Sequence, residues 1–143
     1  MNFTTLIVAL LFFWTGFVCA ISFMEAWLKF RVKGVTLAIG LSIGKKVFTA
    51  LNLMEWAFLL LYAALFVSVR SYRFEVLTYL FVSILLILVM QTFFLLPRLN
   101  KRVHLIVEGT SVEKSFLHVY YVSLELLKVI LLTILGFYWM ANL

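Results

Sequence analysis

Across 143 residues the chain has one cysteine, one proline, six glycines and no aspartate. A lone Cys19 cannot form an intrachain disulfide, which excludes a disulfide-stapled scaffold. So few prolines and glycines exclude collagen-like repeats and Gly/Pro-rich linkers. Charge is scarce as well. Only 13% of residues are charged and 66% are hydrophobic, against about 25% and 45–50% in soluble domains. With a mean hydropathy of +1.16, the chain carries more apolar surface than one water-soluble core of this length hides. Without aspartate, a second cysteine or an HxxxH pair, the common metal-ligand spacings are missing. There is no Gly-rich phosphate loop after a strand and no nucleophile–base–acid set. The net charge of +6 lies in residues that flank apolar runs, a pattern that orients membrane proteins and does not point to nucleic acid.

What remains is four apolar stretches, each long enough to cross a bilayer, which takes about 20 helical residues. They cover about 3–23, 47–69, 76–96 and 116–140. The first has no basic leader and is longer than a usual signal core, so it reads as a span and not as a secretion signal. The third is bounded by Pro97, where a helix usually stops. The expected fold is therefore all-α: a single transmembrane domain, a four-helix up-down bundle with helices extended on the cytoplasmic side. Helix one is expected to continue through Glu25 and Lys29, an i,i+4 pair, until Gly34 stops it. Thr110-x-x-Glu113 reads as a capping box that starts helix four near Ser111. The stretch Val35 to Gly44 fits either an extension of helix two or a segment at the interface, and its Gly40-x-x-x-Gly44 spacing permits close packing.

Lys29, Arg31, Lys33, Lys45 and Lys46 lie between spans one and two, and Arg98, Lys101, Arg102 and Lys114 between spans three and four. Only Arg70 and Arg73 lie between spans two and three. Nine against two places both long segments in the cytoplasm and both termini outside, as expected for a multi-pass protein of a bacterial cytoplasmic (inner) membrane.

Ionisable groups inside a span are costly, so their positions mark function or specific pairing. Asn52 and Glu55 fall about 9 and 14 Å along helix two from Lys46, and Gln91 about 9 Å from Pro97. His118, Tyr121, Glu125 and Lys128 follow at spacings of three, four and three, which puts them on one helical face. Glu25 and Lys29, with Lys45 and Arg98, form a rim at the cytoplasmic end. The other half of the membrane holds only hydroxyls among apolar groups, and the four tryptophans read as packing and belt residues, with Trp27 and Trp139 near opposite interfaces. The pattern predicts a polar pocket open to the cytoplasm, made by Asn52, Glu55, Gln91, His118, Tyr121, Glu125 and Lys128. That pocket would take a proton, a cation or a small ligand. One of two carboxylates sharing one ammonium should be protonated or hold a cation. A purely structural register role for the same charges is the competing reading.

Lys45-x6-Asn52-x-x-Glu55-Trp56 resembles part of the motif of the membrane-associated eicosanoid and glutathione metabolism superfamily. The resemblance implies four spans, both ends outside, and Asn52 and Glu55 near a thiol cosubstrate. The chain departs from that family at Phe48, where an arginine is expected. The order of all four spans, with Gln91, Leu96-Pro97-Arg98 and His118 to Lys128, resembles small bacterial four-span inner-membrane proteins of unknown function. That resemblance implies a fold and a location alone. The expectation is a non-enzymatic, transport-related or accessory membrane subunit, a homo-oligomer or part of a membrane complex, with the lipid bilayer as partner and no cofactor. The alternative is an enzyme for a lipophilic substrate, with a thiol cosubstrate.

Overall fold

The computed structural model describes residues 2–69, 74–113 and 115–141, apart from the side chains of Ala26 and Phe74. Arg70, Arg73 and Lys114, three of the residues used to orient the chain, lie outside the described residues. Helices and their connections account for the rest, with no strand among the described residues. Four helices are long and apolar enough to cross a membrane: α1 (Phe3–Arg31), α2 (Leu37–Ser68), α3 (Glu75–Val107) and α4 (Leu117–Ala141).

Each helix buries one stripe. On α1 it is Ile7, Leu11, Trp14 and Val18; on α2 it runs from Gly40 through Phe48, Glu55 and Tyr62; on α4 it is Tyr121, Glu125, Lys128, Leu132, Leu135 and Trp139. Steps of three and four keep side chains on one side of a helix. The opposite faces carry large apolar groups in the open, such as Leu53 at 71% and Phe93 at 66% exposure.

Side-chain pairings give the mutual directions. Between α2 and α4 residue numbers rise together: Phe48 with Tyr121, Glu55 with Lys128, Tyr62 with Trp139. Between α1 and α2 they run oppositely, from Phe30 against Gly40 to Trp14 against Glu55. They also oppose between α2 and α3, where Trp56 meets Thr92 and Tyr62 meets Phe81. On the remaining side, Phe12 of α1 packs against Phe137 of α4, close over Gly136.

The helix ends confirm one expectation and correct two. The Glu25–Lys29 pair forms at 3.3 Å, α1 tightens over Lys29–Arg31 and ends, and Gly34 turns the chain at φ +88°. That backbone conformation strains any residue with a Cβ. Pro97, expected to end the third helix, lies inside α3. The preceding residues Gln91–Leu95 form a wide π turn in which the Leu96 N–H reaches the Gln91 carbonyl. This widening accommodates the proline ring where an ordinary turn would clash with it. The helix then continues to Val107 and packs on α2.

The expected capping box at Thr110 and Glu113 does not form. Residues 110–113 are not helical, and α4 starts at Leu117 with its N–H on Ser115 Oγ at 3.2 Å. The Glu113 carbonyl instead accepts an N–H from Arg102 of α3, a partner that a local motif does not reveal. The ambiguous stretch 35–44 resolves as an extension of helix two from Leu37 onward: Thr36 caps α2 by accepting the Ile39 N–H at 3.3 Å.

Candidate functional site

The centre of the bundle is polar because all four helices bring polar groups to one level of the inward stripes. Lys128 Nζ lies 2.6 Å from Glu55 Oε1 and 3.2 Å from Glu125 Oε1, and donates to Gln91 Oε1 at 2.7 Å. Gln91 Nε2 donates to Glu125 Oε1 at 2.8 Å. Trp14 Nε1 donates to Glu55 Oε1 at 3.2 Å. The three charged side chains and Gln91 are wholly enclosed, at 0% exposure. Charge-assisted hydrogen bonds in so dry a setting are strong, and the same setting makes an unpaired charge costly.

The pairing is incomplete. Glu55 Oε2 and Glu125 Oε2 have no hydrogen-bond partner in the protein, and neither do the Tyr121 hydroxyl and Asn52 Nδ2. Tyr121 lies within the field of both carboxylates. Two carboxylate oxygens are thus unmatched inside the enclosed centre, with the Tyr121 hydroxyl beside Glu125 and the Asn52 amide at the edge. Beside it, Asn52 Oδ1 accepts from Thr92 Oγ1 at 3.1 Å, and Thr92 in turn accepts from Trp56 Nε1 at 2.9 Å.

The structure therefore brings Glu55, Gln91, Tyr121, Glu125 and Lys128 together in one closed cluster with Asn52 at its edge. His118 does not join them. It is exposed at the start of α4, with its ring 6.3 Å from Phe48, and borders a separate cavity with Lys29 and Lys45. Of the other rim residues, Glu25 pairs with Lys29, while Arg98 is exposed and not among the residues around that cavity. Arg102, one turn further along α3, borders it instead.

Two tryptophans and a threonine join the site unpredicted. By sequence Trp14 reads as a packing residue, yet its indole N–H is one of the bonds to Glu55. A signal was present: Trp14 sits in the 4-3-4 stripe of Ile7, Leu11 and Val18, and a buried indole N–H must find an acceptor. Trp56 and Thr92 form the second, smaller network around Asn52. Trp139, expected at an interface, is buried with its Nε1 on Tyr62 Oη at 3.2 Å. Trp27 is exposed, with the Arg31 guanidinium stacked 4.1 Å over its ring. Among the described residues no three His, Cys or Glu side chains gather as a metal-binding set; His104 pairs with Glu108 at 3.0 Å on the surface of α3.

Compared with known proteins, the chain matches no family model, no curated protein and no solved structure.

Proposed function

We propose that this chain is a multi-pass protein of the bacterial cytoplasmic membrane, an up-down-up-down bundle with both termini outside. Its buried centre binds a proton, as part of a transport-related or accessory membrane subunit. The membrane placement draws on the apolar outer faces of all four helices and on the nine basic residues in the two long connecting segments. The lengths agree: 32 residues in α2 and 25 in α4 span about 48 and 37 Å, more than the ~30 Å hydrocarbon core.

The observation that carries the functional reading is one ammonium serving two carboxylates, all three at 0% exposure. With every group ionised, the centre holds one net negative charge, which a low-dielectric interior penalises. A proton is the smallest cation that cancels it, and it needs no cavity. The two carboxyl oxygens without protein partners, Glu55 Oε2 and Glu125 Oε2, are the atoms on which it would reside. The proton belongs to the coupled pair and not to either residue alone. The enzyme reading gains nothing from the site, because Glu55 is enclosed and engaged by Lys128 and Trp14 instead of facing a space for a cosubstrate.

Infrared difference spectroscopy on the protein in lipid nanodiscs tests this. A carboxylic-acid carbonyl band is expected at neutral pH, removed or shifted by Glu55→Gln or Glu125→Gln while helicity is kept. A spectrum without that band at every pH where the protein stays folded would reduce the centre to a structural ion pair and overturn the reading.

A further inference from the structure

We infer that the cavity beside the start of α4 binds an anionic amphiphile, a single acyl chain bearing a carboxylate or phosphate head. Elements from all four helices enclose this cavity of about 300 Å³, the lower end of the size range of small-molecule sites. Its walls are apolar, built by Leu41 and Phe48 of α2 and by Leu99 and Ile106 of α3. Three cationic side chains, Lys29, Lys45 and Arg102, border it together with the His118 imidazole, and among the described residues no carboxylate does. An apolar chamber with only basic polar groups of charge selects against neutral lipids and against small hydrated anions alike. It suits a molecule that has one apolar part and one anionic end. Basic pockets between membrane helices on the cytoplasmic side bind anionic headgroups for this reason.

The basic groups are available to different degrees. Lys45 is half-buried and has no acidic partner among the described residues. Arg102 donates to the Glu113 carbonyl, one bond from a guanidinium with five N–H donors. Lys29 is held by Glu25 at 3.3 Å, and its ammonium lies 5.5 Å from the ring centres of both Phe30 and Phe48. Gly44 makes that position possible, since a Cβ there would sit 2.7 Å from Lys29 Nζ. The Gly40-x-x-x-Gly44 face thus serves to seat Phe30 and Lys29 of α1 at the cavity wall.

This inference uses none of Glu55, Glu125 or Lys128, so it and the proton reading fail separately: the infrared band reports on the centre and ligand displacement on the cavity. The test uses the full chain in nanodiscs of zwitterionic phosphatidylcholine with the fluorescent fatty acid cis-parinarate as probe. One-to-one binding is expected, displaced by palmitate and by lysophosphatidate. Methyl palmitate should compete at least about tenfold more weakly, because the ester gives up the charge-assisted hydrogen bonds of the head. The double variant Lys45→Gln/Arg102→Gln should weaken the probe by about tenfold or more, and Leu41→Trp should block the chain. Displacement by single-chain anionic lysophosphatidylglycerol placed in the nanodisc would support the inference and identify the bilayer as the source of the ligand. Equal competition by the methyl ester, displacement by inorganic phosphate, or unchanged binding in the folded double variant would each overturn the inference. Should Leu41→Trp fail to fold, the charge variants and the ester comparison still decide.

Discussion

The two polar regions of this molecule obey opposite rules. In the centre, acids outnumber bases, every charged group is enclosed, and neutralisation is sought from within through bonds linking four helices. At the cavity the bordering charges are all basic, the walls are apolar, and of Lys29, Lys45 and Arg102 only Lys29 pairs with a carboxylate among the described residues. Phe48 divides them: its ring packs 5.4 Å from that of Tyr121 on one side and borders the cavity on the other. A charge in the dry interior must be balanced by a neighbour or a proton. A charge at the end of a bundle can wait for a partner from outside.

The sharpest way to break the contrast is Lys128→Met. It removes the only cation that the described residues bring to the centre and strands the carboxylate that the shared proton does not neutralise, costing about 3–5 kcal/mol while it stays ionised. Chemical unfolding in micelles should show that loss. The deficit should narrow as the pH falls, because protonating the stranded carboxylate removes the buried charge; a deficit that does not change with pH would contradict the account of the centre.

Trp14→Phe is expected to cost less. Part of the buried indole volume and one hydrogen bond to Glu55 are lost, together an effect of about 2 kcal/mol in the same unfolding experiment. A neutral outcome would mean that Lys128 alone orients Glu55.

The smallest effect belongs to the cavity. Lys45→Gln should change stability by no more than about 0.5 kcal/mol, since no ion pair among the described residues depends on it. A large loss of stability there would show that the cavity's charges serve the fold as those of the centre do.

Much of this was legible in the residues, and the misreadings are instructive. Pro97 is a strong local stop signal, yet α3 runs through it because the π turn over Gln91–Leu95 relieves the clash. Thr110 and Glu113 have the spacing of a capping box, but the Glu113 carbonyl is held by Arg102 from another helix. Both are local preferences, overridden in the first case by the π turn of the same helix and in the second by Arg102 of α3. The polar residues fared better. Tyr121, Glu125 and Lys128 were expected on one face and are buried there together, whereas His118, one step earlier in the same spacing, falls at the open end of the helix.

Composition and period alone determined that the chain forms four long apolar helices, that Tyr121, Glu125 and Lys128 share one face, and that the polar groups gather in one half of the bundle. Those are properties of single helices, written in hydropathy and in steps of three and four. Only the tertiary structure decided that Lys128 meets both Glu55 and Glu125, that Trp14 donates to Glu55, and that Lys29, Lys45 and Arg102 converge on one cavity. Those partnerships depend on how far each helix is shifted along and rotated about its axis relative to the others. That adjustment is set by the packing of all four at once, through contacts such as Phe30 on Gly40 and Phe12 on Gly136, and no single helix's sequence contains it.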